Sequence, residues 1–250
     1  MDKKVIDNIV WYISFRKLRD AVREYLSNIS NYADSNKYFT ILNLITKEAT
    51  QESVRYICKN GSNARMFMDR FQLLKFMLEE YIKNNDYKDK LFLEFGVFEG
   101  STINFCSSLI PEAKFYGFDS FEGLPETSGF WLKGEFDVKE KLPKVNKNVS
   151  LIKGYFNETL PKFSEEHKEK ASFIHIDCDL YSSTKTVFDN IYDRIVPNTV
   201  IQFDEYYNYP GWRNHEFKAF QEFCKKYSVE YEYIGISYTQ VAVVIKSIKN

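Results

Sequence analysis

Residues 91–102 read LFLEFGVFEGST, and this segment is the strongest indication of the fold in the sequence. An apolar run ends at Glu94-Phe95, and two glycines four residues apart, Gly96 and Gly100, come before a polar segment. An apolar run that ends in a glycine-bearing turn and a polar helix start is typical of a strand–turn–helix unit. We therefore predict a buried strand here, followed by a tight turn into a helix.

The spacing of these glycines excludes two common phosphate-binding loops. A dinucleotide loop needs GxGxxG, whereas this chain has GxxxG with Phe98 in the turn. A P-loop needs GK[ST], and no lysine follows Gly100. Glu94, just before the first glycine, would also repel a phosphate. The turn instead suits a cationic or hydrogen-bond-donating ligand, such as the amino-acid end of S-adenosylmethionine.

Composition excludes several functions. The chain has 250 residues with 34 basic and 35 acidic side chains, so no net field recruits nucleic acid. Its four cysteines lie far apart without a metal-binding cluster, which favours a reducing, cytoplasmic location. No apolar run reaches the roughly 18 residues that a membrane span needs.

The first 88 residues contain almost no glycine or proline, and we predict a helical extension over 1–88 and a core domain over 89–250. Apolar residues fall on one helical face near the start of the chain: Val5, Ile6, Ile9, Val10 and Ile13. This face is expected to pack on the chain or on a second subunit rather than on a membrane. We expect the extension to roof the active site and to contribute to a homodimer or larger homo-oligomer.

From residue 91 the pattern changes to short apolar runs separated by amphipathic segments or loops. The runs are KLFLEFG, AKFYGFD, VSLIKGY, SFIHIDCD and TVIQFDE. Continuous apolar strands that alternate with helices predict an α/β fold with a mostly parallel sheet covered on both faces. The tail EYEYIGISYTQVAVVIKSI predicts an antiparallel hairpin at the sheet edge.

Acidic residues close four of the predicted strands: Glu94, Asp119, Asp177 and Asp204. In an open parallel sheet, ligands bind beyond the carboxyl ends of the strands. Buried acids at these ends need a ligand, a cation or water. Asp119 lies about 25 residues after Glu94, the position that binds ribose hydroxyls in nucleoside-binding α/β folds. The pattern indicates a nucleoside pocket without a phosphate cradle; the alternative is a tight turn with a solvated acid.

Five motifs occur in the order seen in a known family: EFGVFEGST, GFDSFEGLPE, KGYFNETLP, HIDCDLYSST and FDEYYNYPGW. Over about residues 65–225 the chain resembles the macrocin O-methyltransferases, which methylate sugar hydroxyls using S-adenosylmethionine and Mg²⁺. The resemblance implies the Rossmann-like, seven-stranded class I methyltransferase sheet. It also implies a set of cofactor-binding residues: Glu94, Gly96, Gly100 and Ser101 at the methionine end, Asp119 at the ribose, and Ser120 and Phe121 near the adenosine.

The resemblance, and convergence of the strand ends, predict a metal site formed by Asp177, Asp204 and Glu205. Like charges in one pocket raise one another's pKa unless a cation compensates them, and all-oxygen ligands favour Mg²⁺. Glu205 departs from the family, which more typically has aspartate there, so its extra methylene either displaces the ion or leaves Glu205 as a base. The alternative is that Asp204 and Glu205 cap a helix and that Asp177 lies on the surface.

Three residues are candidates for the catalytic base: Asp177, Asp179 and His215. Asp179 also fits a turn into the following helix, and His175, inside an apolar strand, is interpreted as core packing. The expected acceptor-binding residues are mainly aromatic, which suits sugar rings and suits a subunit interface nearly as well: Trp131, Tyr206, Tyr209, Trp212 and Arg213. Arg213 would meet a phosphate or carboxylate, as on a nucleotide-linked sugar.

The sequence thus predicts an enzyme, an S-adenosylmethionine-dependent O-methyltransferase assisted by Mg²⁺, which acts on a sugar of a surface glycan or secondary metabolite. One alternative is the same chemistry on a phosphate-like or phenolic oxygen. Another is a noncatalytic nucleoside-binding or assembly protein, against which the predicted metal acids argue. A nicotinamide oxidoreductase is excluded by the missing GxGxxG.

Overall fold

A computed structural model describes residues 21–26, 40–129, 131–139 and 141–249. The chain divides into two compact units, residues 1–48 and residues 49–250. In the first unit, residues 21–26 are helical and a longer helix, α1, begins; α1 spans Thr40–Asn60. The apolar stripe predicted between Val5 and Ile13 lies outside the described residues.

Eight strands form a single sheet in the larger unit. They are β1 (Arg65–Met66), β2 (Leu91–Phe95), β3 (Phe115–Asp119), β4 (Val149–Lys153), β5 (Ala171–Ile176), β6 (Val200–Phe203), β7 (Glu230–Ile236) and β8 (Val241–Ser247). Their order across the sheet is β1-β7-β8-β6-β5-β2-β3-β4. The strands from β2 to β6 pair parallel to one another, and β8 runs antiparallel to both β6 and β7. The predicted parallel sheet with an antiparallel edge hairpin is confirmed.

The strand count of seven is corrected to eight. The additional strand, β1, contributes two residues that pair parallel with Gly235 and Ile236 of β7. The backbone N–H of Phe67 extends this contact by donating to the carbonyl of Ile236 at 2.9 Å. Two residues are too few to show an alternating pattern in the sequence, which is why β1 was not predicted.

Helices connect the strands and complete the layers around the sheet. After α1 they are α2 (Arg70–Phe76), α3 (Ser101–Leu109), α4 (Phe156–Glu166), α5 (Tyr181–Ile191) and α6 (Glu216–Lys226). Asp69 caps α2, because its carboxylate accepts from the backbone N–H of Gln72 at 2.9 Å. The chain continues beyond α2 as a π-helical segment, Met77–Ile82. No helix among the described residues is both long and apolar enough to cross a membrane.

The central strands are buried on both faces, as their apolar sequences predict. All five residues of β2 are buried; Leu93 and Phe95 join one apolar cluster and Phe92 joins the other. Because successive strand residues point to opposite faces, the two clusters mark an apolar layer on each side of the sheet. This burial leaves the ends of the strands as the place where polar side chains meet solvent.

The boundary between the two compact units falls between residues 48 and 49, and the predicted division between residues 88 and 89 stays a prediction. Residues 49–88, with β1 and α2, belong to the same compact unit as the sheet. The pairing of β1 with β7 is the physical reason, since it makes this segment part of the sheet. The proposed homodimer and the roofing of the active site by the whole extension stay predictions.

Gly96 allows a close approach between the end of β2 and the end of β5. Its φ is +93°, and a Cβ built there would lie 1.7 Å from the carbonyl oxygen of Asp177. The backbone N–H of Asp177 also donates to the carbonyl of Phe95 at 2.8 Å. Only glycine fits at this contact between the end of β2 and the end of β5.

Gly96→Ala should therefore lower the free energy of unfolding by on the order of 3 kcal/mol or more, because positive φ and a backbone collision act together. Gly134→Ala is the matched control, since Gly134 has φ +83° and a Cβ added there would meet nothing within 4 Å. Denaturant unfolding of both variants separates collision from strain. Equal losses in the two variants would contradict the role given to the contact.

Candidate active site

A cavity of about 850 Å³ opens at the carboxyl ends of the central strands. The ends of β2 and β3 and their loops contribute Gly96, Ser101, Asp119 and Ser120, among others. The segments after β5 and β6 contribute Asp177, Asp179, Asp204 and Glu205. The predicted ligand position beyond the strand ends is therefore where the cavity lies.

Asp119 organises the glycine turn. Its Oδ2 accepts from the backbone N–H groups of Val97 and Phe98, both at 2.8 Å, and its Oδ1 accepts from the backbone N–H of Phe121 at 2.7 Å. Phe98 has φ +48°, so these bonds hold the turn in a left-handed conformation that phenylalanine rarely adopts. Asp119 thus shapes the wall of the cavity as well as lining it.

Three of the predicted cofactor residues are not among the described residues that line the cavity: Glu94, Gly100 and Phe121. The Glu94 side chain is buried, where Oε1 accepts from the Thr102 hydroxyl at 2.9 Å. Gly100 precedes α3 with φ +79°, and Phe121 is fully buried in the core. The sequence located the turn correctly but did not show which of its side chains point inward.

The predicted metal acids Asp177, Asp204 and Glu205 do meet at the cavity. A residue that the sequence patterns did not reveal, Arg70 at the start of α2, lies among them. Its Nη1 is 3.0 Å from Asp204 Oδ2 and 3.8 Å from Asp177 Oδ2. Arg70 therefore provides part of the positive charge that these carboxylates need.

His175 provides a second counter-charge from inside the sheet. Its Nδ1 lies 3.0 Å from Glu94 Oε2, and its Nε2 lies 3.9 Å from Asp204 Oδ1. Burial alone would lower the pKa of His175, but its interactions with Asp204 and Glu94 reverse that effect and raise the pKa to about 10. His175 is packed in the core, as interpreted from the sequence, and its contacts there with Glu94 and Asp204 are ionic.

The positive charges of Arg70 and His175 do not fully offset the negative charge of the buried carboxylates. Burial, reinforced by Asp204, raises the pKa of both Asp177 and Glu205 well above the usual range. For Asp204 burial acts in the same direction, yet His175 and Arg70 outweigh it and lower its pKa. Asp204 Oδ1 and Glu205 Oε2 are buried without a hydrogen-bond partner. Surplus negative charge and unpartnered oxygens fit a hard cation such as Mg²⁺.

The atoms that come closest together form a set different from the predicted one. Ligand atoms of His175, Asp177 and Asp204 all lie within 4.8 Å of one another, and Glu205 is not part of this group. A protonated His175 has no lone pair to offer at either nitrogen, so the oxygens of Asp177 and Asp204 are the better ligands.

Two further residues that the sequence patterns did not indicate, Glu216 and Gln240, hold the acid-bearing segments in place. The fully buried Glu216 accepts from the backbone N–H of Glu205 at 3.2 Å and from that of Cys178 at 3.4 Å. The Gln240 amide donates to Asp204 Oδ2 at 3.4 Å. Glu216 therefore ties the segment after β5 to the segment after β6.

Asp179 lines the cavity, whereas His215 is not among the residues that line it. Burial, with Asp204 adding to it, raises the pKa of Asp179 to about 7, and a hydrogen bond with Trp131 opposes the rise. His215 is buried against the Trp131 ring, with 4.9 Å between centroids, and burial lowers its pKa. Trp131 in turn packs edge-on against Tyr209 at 5.4 Å.

Two of the predicted acceptor residues, Tyr206 and Trp212, are buried in the core. The Tyr206 hydroxyl lies 2.8 Å from that of Tyr233 in a cluster of tyrosines. Arg213 stacks over the Trp212 ring at 4.2 Å and lines a different pocket, of about 400 Å³, together with Glu52. An aromatic-rich segment after a strand indicates proximity to the site, but it does not show which side chains face the ligand.

Comparison with known proteins agrees with this architecture. Residues 93–206 match the family described as "Methyltransferase domain". The chain has the Rossmann-like methyltransferase fold. The match also confirms the prediction of a methyltransferase enzyme at the level of that domain, although the more specific macrocin family is not confirmed. A search of curated protein sequences found no significant match.

Solved structures show the same fold at low sequence identity. The calicheamicin methyltransferase CalS11 is 19% identical with a TM-score of 0.57, over 84% of this chain and 92% of that one. The O-methyltransferase NovP is 20% identical with a TM-score of 0.53, over 71% of this chain and 79% of that one. Apo CalS11, described as a TDP-rhamnose 3′-O-methyltransferase, is 18% identical with a TM-score of 0.50, over 81% of this chain and 93% of that one.

Asp119→Asn should destabilise the ligand-free protein by about 1–3 kcal/mol, because an amide nitrogen cannot accept the backbone N–H bonds of the turn. Asp137→Asn is the control, since exposed Asp137 accepts a single local bond, from the backbone N–H of Lys139 at 2.7 Å. Denaturant unfolding without ligand measures the difference. Unchanged stability of Asp119→Asn would mean that Asp119 serves the ligand alone.

Proposed function

We propose that this protein is an S-adenosylmethionine-dependent O-methyltransferase that methylates a sugar hydroxyl with the help of a divalent cation. The observation that carries the proposal is one cavity in which the Asp119-ordered turn and the carboxylates of Asp177, Asp204 and Glu205 face the same space. The motif resemblance, the domain match and the fold of CalS11 and NovP support it. Mg²⁺ is the proposed cation and a nucleotide-linked or other small sugar the proposed acceptor.

The chain's own residues would divide the work between the two halves of the cavity. The turn from Gly96 presents backbone to the methyl donor, and Ser101 and Ser120 add hydroxyls nearby. Asp119 is already engaged by backbone donors, so it keeps only its remaining lone pairs for a ribose hydroxyl. Donor recognition therefore depends on the shape of the turn as much as on any one side chain.

Asp177 and Asp204, with Glu205 as a further candidate, would hold the cation. When bound, such a cation lowers the pKa of a coordinated acceptor hydroxyl and fixes its oxygen in place. Asp179 lines the same cavity and is placed to accept the proton from that hydroxyl. The bond from acceptor oxygen to methyl carbon then forms as the carbon–sulfur bond of the donor breaks, which demands alignment of the three atoms.

A methyl-transfer assay on activated sugars, read by mass spectrometry as the gain of one methyl group, tests the function. Asp204→Asn should lower the rate by about 100-fold or more while leaving donor affinity nearly unchanged, because it removes an oxygen ligand of the cation. Calorimetry with S-adenosylmethionine measures that affinity, and Asp189→Asn, at an exposed i,i+4 ion pair, is the control. Tight NAD binding without donor binding, or full activity in excess EDTA, would refute the donor or the metal respectively.

The identity of the base is tested by a pair of variants. Asp179→Asn should reduce the rate by about 10²–10⁴-fold, the usual contribution of a positioned base. His215→Gln should have a smaller effect, because His215 does not line the cavity as described. Single-turnover rates at saturating donor compare the two. A larger loss of rate in the His215 variant would identify His215 as the base instead.

A further inference from the structure

Arg70 is the only cationic side chain among the described residues that line the cavity. It is the first residue of α2, directly after the capping residue Asp69, and its side chain is 38% exposed. One guanidinium nitrogen, Nη1, contacts both Asp204 Oδ2 and Asp177 Oδ2. The side chain is thus part-exposed and contacts two of the carboxylates that line the cavity.

The position of Nη1 conflicts with a bound divalent cation. A Mg²⁺ or Mn²⁺ ion shared by Asp177 and Asp204 would lie about 2.1 Å from its ligand oxygens. A guanidinium nitrogen 3.0 Å from one of those oxygens would then face a doubly charged ion at close range. Like charges at such a separation repel strongly in a partly buried site. The Arg70 guanidinium and a divalent ion therefore cannot contact the same pair of oxygens at the same time.

We propose that Arg70 is a resident counter-cation that competes with the divalent cation, so that metal binding requires Arg70 to leave Asp204 and Asp177. The proposal rests on the proposed metal site but does not require methyl transfer. Departure is feasible because the side chain is long, part-exposed and located at a helix start. Asp204 would retain its contacts with His175 and Gln240 after Arg70 leaves.

The contrast with Arg65 gives a matched control. Arg65 lies five residues earlier, and its Nη1 pairs with Glu80 Oε2 at 3.0 Å with both side chains 58% exposed. Arg65 does not line the cavity as described. Arg65→Gln therefore removes the same charge from the same segment without touching the acids. Any effect seen only in Arg70→Gln belongs to the acidic cluster.

The experiment is calorimetric titration of the full chain with Mn²⁺, together with thermal unfolding in EDTA and in Mn²⁺. Arg70→Gln should bind Mn²⁺ about tenfold or more tightly than the unmodified protein, since a competing charge is gone. In EDTA it should unfold at a lower temperature, because the acids lose a counter-cation, and Mn²⁺ should raise that temperature by more than it does for the unmodified protein. Arg65→Gln should match the unmodified protein in Mn²⁺ affinity.

Equal or weaker Mn²⁺ binding by Arg70→Gln would overturn the proposal, as would the absence of Mn²⁺ binding by both proteins. If Arg70→Gln does not fold in EDTA, Arg70→Lys provides the measurement. Lysine keeps the charge without the guanidinium geometry, so its Mn²⁺ affinity should equal or exceed that of the unmodified protein, and a weaker affinity would refute competition. If Arg70 and Mn²⁺ compete but no sugar is methylated, the proposed function is refuted and the proposal about Arg70 stands.

Discussion

Buried carboxylates repel one another at the carboxyl edge of the sheet, and the residues around them are arranged to offset that repulsion. Asp177, Asp204 and Glu205 lie close together because β5 and β6 are adjacent and parallel. Burial raises the free energy of every charged form, so the fold must provide compensation. Arg70 provides it from the solvent side, and His175 provides it from within the sheet. The negative charge that remains is what the proposed divalent cation would compensate.

The same edge explains why the site combines a rigid half with an adjustable half. The turn after β2 is held by three backbone bonds to Asp119 and by the glycine contact with Asp177. The acids, by contrast, are contacted by ion pairs that include a part-exposed arginine, and if Arg70 competes with the cation as proposed, their arrangement would depend on which cation is bound. Under that proposal, charge compensation would change at this edge while the backbone that frames the cavity stays fixed.

Much of this architecture follows from local sequence, and the exceptions share a cause. Continuous apolar runs ending in acids predicted the sheet, its parallel pairing and the acids that meet at its edge. Arg70 was missed because its partner Asp204 is 134 residues away and nothing near Arg70 signals an ionic role. The burial of Tyr206 and Trp212 was not predicted, because adjacency to the acids along the chain does not determine which face a side chain takes. Long-range contacts and side-chain direction are the information that the local patterns lack.

The contact between Gly96 and the carbonyl of Asp177 bears on how such an enzyme can change over time. It joins the wall that would receive the donor to the strand end that carries the acids, with no room for even a methyl group between them. Under the proposed function, the backbone of the sheet then fixes the distance between the sulfur of the methyl donor and the acceptor oxygen. New acceptors would arise through changes in the surrounding loops, where residues can be replaced without disturbing the reaction axis.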